Sequence, residues 1–295
     1  MLMPAATRWP LGATGIATSG MALGCARLGS ALTPLDRQQS IALLRQAHAL
    51  GVRHFDTASI YGQGDSERLL GEALAPYRDS ICLASKAGQL LTPRQAVLAQ
   101  FKPLVRWVAA RRQGVHARVA QARAQGVPRC FEPGHIERSL RASLQRLRTD
   151  HLDLFYLHSP APEVLDDEAL FARLEQLQRQ GLFTALGVSC DDLALAQRAA
   201  THACVQVVQF EFDGSAPAQA VADELARQGK AAVLRGLARW RAGAGDAGDA
   251  GVVRGLRQML ALPSFGGVLV GTTDTGHLQH NLGAFQRALA LHDTA

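Results

Sequence analysis

Apolar positions along this chain fall into two kinds of stretch that alternate. One kind is short and almost continuously apolar: 21–25, 52–55, 81–85, 150–158, 184–188, 205–209, 231–234 and 267–270. Runs of that length without polar alternation read as strands buried on both faces, which is the pattern of a parallel sheet. The other kind places apolar residues three and four apart. Ile41, Leu44, Ala47 and Leu50 make one such stripe; Leu69, Leu70, Ala73 and Leu74 make a second; Ile136, Leu140, Leu144 and Leu147 make a third. Each is one face of an amphipathic helix. Boundary residues support the division. Thr33-Pro34-x-Asp36 predicts a helix start with Thr33 as N-cap, and Gly51 predicts its end. Asp65-Ser66-Glu67 opens the next helix, which stops near Pro76. Further helices are predicted over 168–180, 193–202, 218–228 and 254–262, with a last one running from the Gly271-Thr272-Thr273 segment to about Leu291.

Eight apolar runs alternating with helices predict a (β/α)8 TIM barrel, with residues 1–295 forming a single domain. Short β-like pieces around Gly12 and Gly15, within 5–18, predict an N-terminal β-hairpin that plugs the barrel bottom. The competing fold is an open doubly wound sheet. It would want G-x-G-x-x-G after the first run, and Gly24-Cys-Ala-Arg-Leu-Gly29 lacks the middle glycine. The rhythm breaks once. Residues 87–133, after the third run, are far longer than the usual connection of about 4–6 residues. Here 101–108 is amphipathic, and Arg111, Arg112, Arg118, Arg123 and Arg129 make the remainder basic, as in a lid-like insertion. A Gly/Ala/Asp-rich stretch predicts a mobile loop over about 239–251.

Composition narrows the class without changing it. With 295 residues, 47% of them hydrophobic, the chain can bury one large core. The net charge of +6 comes from 31 basic and 25 acidic residues. The excess is concentrated between Lys102 and Arg129, which argues against a general nucleic-acid surface. Five cysteines, an odd number with no C-x-x-C spacing, read as free thiols in a reducing compartment. No apolar run approaches the roughly 20 residues of a membrane span, and the N-terminal residues show no apolar signal region. A cytoplasmic protein without membrane or nucleic-acid partners is the expectation, a monomer or weak homo-oligomer acting on a small molecule.

The chemistry-bearing residues gather at the ends of the apolar runs. Asp56, Lys86 and His158 each end one, and Tyr61 stands on the loop beyond Asp56. In an α/β barrel all four face the same end. A phenol, with a pKa of about 10, is a weak acid alone. An adjacent ammonium lowers that value, a carboxylate holds the ammonium in place, and an imidazole can orient a substrate oxygen or relay the proton. The set suits protonation of a carbonyl oxygen or deprotonation of an alcohol. It needs no metal, and no G-x-S-x-G elbow is present.

Three stretches extend this reading. Gly51-Val-Arg-His-Phe-Asp-Thr-Ala-Ser-Ile-Tyr61-Gly is followed by Glu67-Arg-Leu-Leu-Gly-Glu-Ala-Leu74. Ser139-Leu-Arg-Ala-Ser-Leu-Gln-Arg-Leu-Arg-Thr-Asp-His-Leu-Asp-Leu-Phe-Tyr-Leu-His158 is the second, and Gly187-Val-Ser189 the third. Together they resemble the signatures of the aldo-keto reductases over nearly the whole chain, with 87–133 and 239–266 the least similar parts. The resemblance implies an (α/β)8 barrel and an NAD(P)H-dependent oxidoreductase that reduces an aldehyde or ketone, or oxidises the alcohol. It implies a catalytic tetrad of Asp56, Tyr61, Lys86 and His158, with Tyr61 the general acid/base. It implies cofactor contacts from Cys25, Asp56, Ser189, Cys190, Gln209, Arg235, Gly271, Thr272, Thr273, His277 and Asn281. Cys190 stands where the family usually has Asn, and Arg235 where an aromatic ring usually stacks on the nicotinamide; a planar guanidinium can also stack. NADP(H) is the preferred cofactor by resemblance and NAD(H) the second. Residues 271–281 hold no Lys or Arg for a 2′-phosphate, and Asp274 is adjacent. Similar barrels also serve as redox-sensing regulatory subunits, and that is the alternative function.

Overall fold

A computed structural model describes residues 8–30, 33–90, 127–242 and 249–292. Its centre is a closed barrel of eight strands, all parallel. In front of it stands a two-stranded antiparallel hairpin, β1 (Trp9–Pro10) and β2 (Ala17–Thr18). The barrel strands are β3 (Met21–Gly24), β4 (His54–Asp56), β5 (Cys82–Ala87), β6 (Leu152–His158), β7 (Phe183–Ser189), β8 (Val207–Glu211), β9 (Ala231–Arg235) and β10 (Phe265–Gly271). Strand β10 closes onto β3 through Val268↔Met21 to Gly271↔Gly24. The helices are α1 (Arg37–Ala49), α2 (Asp65–Leu74), α3 (Pro133–Leu147), α4 (Glu168–Arg179), α5 (Leu193–Thr201), α6 (Ala216–Arg227), α7 (Leu237–Ala242), α8 (Asp249–Leu260) and α9 (Thr275–His292).

Two apolar clusters follow from strand parity. Leu23, Phe55, Leu83, Phe155, Leu186, Val208, Leu234 and Val268 point outward and pack against the helix stripes. Ala84, Leu154, Ala185, Val207, Ala231 and Val233 point inward, and Leu11 of the hairpin joins them from below. The hairpin is a plug, as expected. Leu11 is fully buried, Thr18 donates to Gly266 O at 3.2 Å, and the Trp9 and Phe265 rings meet edge to face. Gly12 holds a positive φ of 56° there, and a Cβ on it would lie 2.6 Å from Gly229 O, so no side chain fits.

Three expectations are corrected. The first helix begins at Arg37, not at Thr33, because Asp36 makes a reciprocal capping box: its carboxylate accepts the Gln39 N–H at 2.8 Å while Gln39 Oε1 accepts the Asp36 N–H at 2.9 Å. Thr33 Oγ1 makes only a 3.4 Å contact with Leu35 N. Helix α8 begins at Asp249, inside the stretch expected to be a mobile loop, where Asp249 bonds to His280 and Arg287 of α9. A short helix, α7, follows β9, where only a loop was expected. Most of the expected basic insertion, including the amphipathic 101–108 segment, lies outside the described residues. Gln89 and Arg129 at its two ends form an antiparallel bridge.

Candidate functional site

The inward parity of β4, β5 and β6 carries polar groups to the C-terminal mouth of the barrel. Lys86 is almost fully buried and its ammonium has two acceptors, the Asp56 carboxylate and Thr57 O, the latter at 2.9 Å. The other Asp56 oxygen accepts from Gln209 Nε2 at 2.9 Å, and Gln209 Oε1 accepts from Ser189 Oγ at 2.9 Å. A chain of hydrogen bonds thus runs from β5 to β4, across the barrel to β8, and on to β7. Every member is buried, which raises the cost of leaving any one unpaired.

The Tyr61 ring sits over this network. Lys86 Nζ is 5.3 Å from its centroid, and the His158 ring meets it edge to face at 5.7 Å. The loop that presents Tyr61 is unusual. Gly62, Gln63 and Gly64 all have positive φ, between 55° and 85°. Gln63 is not glycine, and that conformation costs about 1–2 kcal/mol. A Cβ on Gly62 would lie 2.7 Å from the Gly29 carbonyl carbon, so the loop is pressed against the β3–α1 connection.

The loop is anchored from outside the barrel by the first turn of α2. Ser66 Oγ accepts from Thr57 Oγ1 and donates to Cys25 O, both at 2.9 Å. Glu67, fully buried, accepts from Ser85 Oγ at 2.6 Å and from Arg146 Nε at 2.5 Å. Residues 57 and 85 adjoin Asp56 and Lys86, so one helix turn locks the two strand ends and the tyrosine loop together.

Electrostatics divides the two proton-bearing rings. Burial raises the Tyr61 phenol above its usual value, and Lys86 opposes that rise. The ammonium therefore limits the rise without producing the net depression that the bare sequence suggested. Burial pushes the His158 imidazole well below its usual value, and Lys86, Arg235 and Arg129 add to the effect. A neutral His158 is left beside the phenol, its buried Nδ1 with no hydrogen-bond partner among the described residues.

Beyond the ends of β9 and β10 a cavity of about 330 Å³ lies against α7, α8 and α9, lined by Gly236, Leu237, Gly271, Thr272, His277 and Asn281 among others. A Cβ on Gly24 or Gly271 would meet nothing closer than 3.7 Å, so backbone lies open at both glycines. A cavity that reaches the first turns of a helix suits a phosphate-bearing ligand.

The family model of the aldo/keto reductases matches residues 20–228, a span that includes Asp56, Tyr61, Lys86, His158, Ser189 and Gln209 and stops before Arg235 and the cavity lining. The chain belongs to the aldo/keto reductase family. Pyridoxal 4-dehydrogenase of Microbacterium luteolum is 31% identical to this reductase-family chain over 189 residues, covering 63% of it and 52% of that protein. The NADH-specific methylglyoxal reductase of Escherichia coli is 27% identical over 208 residues, covering 69% and 58%. The matched stretch thus spans little more than half the length of these curated relatives. A solved structure from Pseudomonas aeruginosa, assigned provisionally to the aldo-keto reductases, superposes with a TM-score of 0.75 at 24% identity, covering 98% of this chain and 97% of the other. That likeness is one of fold.

Within this aldo/keto reductase fold the expected cofactor residues separate by parity. Asp56, Ser189, Gln209 and Arg235 point into the mouth. Cys25 and Cys190 do not: their side chains belong to the outer core, each thiol lying near the carbonyl two residues earlier, of Leu23 and Val188, and burial raises both thiol pKa values. Their main-chain groups are also engaged: Cys25 N–H bonds Asp56 O and Cys25 O accepts from Ser66, while Cys190 N–H bonds Gln209 O and Cys190 O accepts from Arg235. Arg235 donates from Nη2 to Cys190 O. Asp274 accepts the His277 N–H at 2.7 Å, and its N–H in turn bonds Thr272 Oγ1 at 3.0 Å, so Asp274 caps α9.

Two interior residues escaped notice in the sequence. His54 and Tyr156 are fully buried; neither His54 nitrogen has a hydrogen-bond partner among the described residues, and the Tyr156 hydroxyl faces Gln209. Burial lowers the His54 pKa to about 4. The signal was the period of two: His54 precedes Asp56 by two, and Tyr156 precedes His158 by two, so each lies one step below the mouth.

Proposed function

We propose that this protein is an NAD(P)H-dependent carbonyl reductase in which Tyr61 donates the proton. The observation that carries the reading is Lys86, buried on the Asp56 carboxylate with the Tyr61 ring against it and a neutral His158 on the other edge of that ring. A bound NAD(P)H supplies the hydride to the carbonyl carbon. The protein then has to hold the substrate oxygen and deliver a proton to it.

His158 orients that oxygen, because as a neutral ring with a free nitrogen it can donate one hydrogen bond without adding charge. The Tyr61 hydroxyl gives its proton to the oxygen as negative charge develops. Lys86 stabilises the phenolate that remains, and Asp56 with Thr57 O holds the ammonium in place. In the reverse direction the phenolate takes the alcohol proton. Since burial keeps the phenol protonated at neutral pH, the resting protein is set for reduction.

The residues present fit the cofactor. Ser189 and Gln209 offer a hydroxyl and an amide at the mouth, the open backbone at Gly24 and Gly271 leaves room for a chain, and Thr272, Thr273, His277 and Asn281 surround the far end. NADPH is the preferred form by family resemblance, with a small margin because the Asp274 carboxylate sits at the helix N-terminus and opposes a 2′-phosphate there. One relative carries the name of an NADH-specific reductase, so either nucleotide is compatible with the family.

The test is nicotinamide absorbance under turnover with aldehydes, ketones and sugars, using NADH and NADPH in parallel. Carbonyl-dependent oxidation of the cofactor is expected. Tight nucleotide binding with no turnover on any carbonyl would replace this reading with that of a cofactor-sensing subunit.

A further inference from the structure

Three ion pairs stand at the barrel mouth among the described residues. Lys86 pairs with Asp56, Arg129 with Asp191 at 3.6 Å, and Arg239 with Glu211. Arg235 has no carboxylate within ion-pair distance among the described residues. Its Nη2 donates to the carbonyl of Cys190, and its Nε is buried without a partner. The guanidinium starts on β9 and reaches the end of β7, so it lies across the end of β8, in front of Gln209. It is close enough to Tyr61 and His158 to act on both through its charge. A guanidinium without an ion-pair partner among the described residues is thereby fixed on the β7–β9 wall of the mouth, with the Asp191 and Asp192 carboxylates acting from the end of β7.

That wall is where a hydride donor has to sit. Tyr61 and His158 approach the reacting oxygen from the β4–β6 side, and the cavity toward α9 opens at Gly236, the residue after Arg235. The donor ring is neutral when reduced and positively charged when oxidised, while the rest of the nucleotide is identical in both forms. We propose that Arg235 makes this site select the reduced nicotinamide over the oxidised one, so that the spent cofactor is expelled by like-charge repulsion after each reduction. The proposal rests on the NAD(P)H-dependent reading above. The repulsion acts across a partly buried mouth, where two unit charges interact more strongly than in water. A paired arginine would not have this effect, because its carboxylate would cancel the field.

The experiment is a fluorescence titration giving Kd for the oxidised and reduced forms of the same nucleotide, on wild type and on Arg235→Gln, Arg235→Met and Arg235→Lys. The ratio Kd(oxidised)/Kd(reduced) isolates the ring, since any attraction of Arg235 for the phosphates cancels. Wild type should favour the reduced form by at least about tenfold. Arg235→Gln and Arg235→Met should lower the ratio about tenfold, or about 1.4 kcal/mol, mainly by tightening the oxidised form. Arg235→Lys should hold the ratio within about threefold of wild type. Two neutral variants with different shapes keep the test usable if one of them does not fold. An unchanged ratio in a neutral variant that binds both forms overturns the role of Arg235 and leaves the reductase reading intact. Failure of wild type to bind any nicotinamide nucleotide overturns both.

Discussion

The β4–β8 side of the mouth and the β9–α9 side are built on opposite principles. On the first, Asp56, Lys86, Ser189 and Gln209 form one buried chain of hydrogen bonds, and the first turn of α2 locks it from outside. On the second, His277 and Asp274 are mostly exposed, with side chains 72% and 60% accessible, and their contact is a 3.9 Å pair. Chemistry at a bond needs atoms held to a fraction of an ångström, and burial with full pairing provides that. Recognition of a nucleotide needs a groove and a few donors, and tolerates solvent. Substitutions should therefore be severe and coupled on one side, mild and additive on the other.

The largest effect should come from Tyr61→Phe. The hydroxyl is the proton source, and general acid catalysis contributes about 10²–10⁴-fold. The variant should lose at least about a hundredfold in kcat, while nucleotide Kd stays within about threefold by titration. Half of wild-type kcat surviving would remove Tyr61 from the reaction and erase the contrast between the two sides.

Lys86→Met should be nearly as severe in rate and much worse in stability. It leaves the Asp56 carboxylate buried with Gln209 as its remaining partner. Breaking a buried pair from one side costs about 3–5 kcal/mol. Denaturant unfolding should show a loss of that order. A loss below about 1 kcal/mol would mean that the network is looser than its hydrogen bonds indicate.

Acid should weaken the first side through the buried imidazole below it. His54 titrates near 4 in the folded protein, whereas an unfolded histidine titrates near 6.5. Between those values the unfolded chain binds a proton that the folded chain refuses. Stability is then complete above about pH 6.5 and falls as pH drops toward 4, by up to about 3 kcal/mol from this residue. His158, also depressed, acts in the same direction. Chemical denaturation at pH 7 and pH 4.5 on wild type and His54→Asn measures it. The variant should lose part of the pH slope, and an identical slope would place the acid sensitivity elsewhere.

The smallest effect belongs to the second side. Asp274→Asn keeps an N-cap for α9 but removes a negative charge from the helix end, a change worth about 0.3–1 kcal/mol for a nearby anion. NADPH should bind a few-fold tighter and NADH little differently, compared by titration at low salt. Equal tightening of both nucleotides would show that Asp274 does not face the 2′-phosphate.

Much of this architecture was legible in one dimension. Continuous apolar runs and helical stripes carry their own periodicity, so all eight barrel strands and the plug could be placed before any contact was known. The four residues that meet at the mouth were legible for a related reason: each ends or closely follows a run that must be buried, and a charge in that position needs a partner. Local competition was harder to read. Asp36 outdid Thr33 as a cap because of a reciprocal bond with Gln39, and α8 reached back to Asp249 because α9 supplied His280 and Arg287 to meet it.

What the sequence determined by itself was the alternation, the barrel and the residue types at the strand ends, since these depend on periodicities of two and 3.6 that each segment carries alone. Only the tertiary structure decided which side chains share a space. It turned Cys25 and Cys190 out of the mouth and left the His54 ring inside the barrel with no hydrogen-bond partner among the described residues. It let burial outweigh Lys86 at the Tyr61 phenol, and it set the Arg235 guanidinium on the Cys190 carbonyl with no carboxylate in ion-pair distance among the described residues. The physical reason is that pairing, desolvation and facing depend on distances between residues far apart in the chain, and closure of the barrel sets those distances.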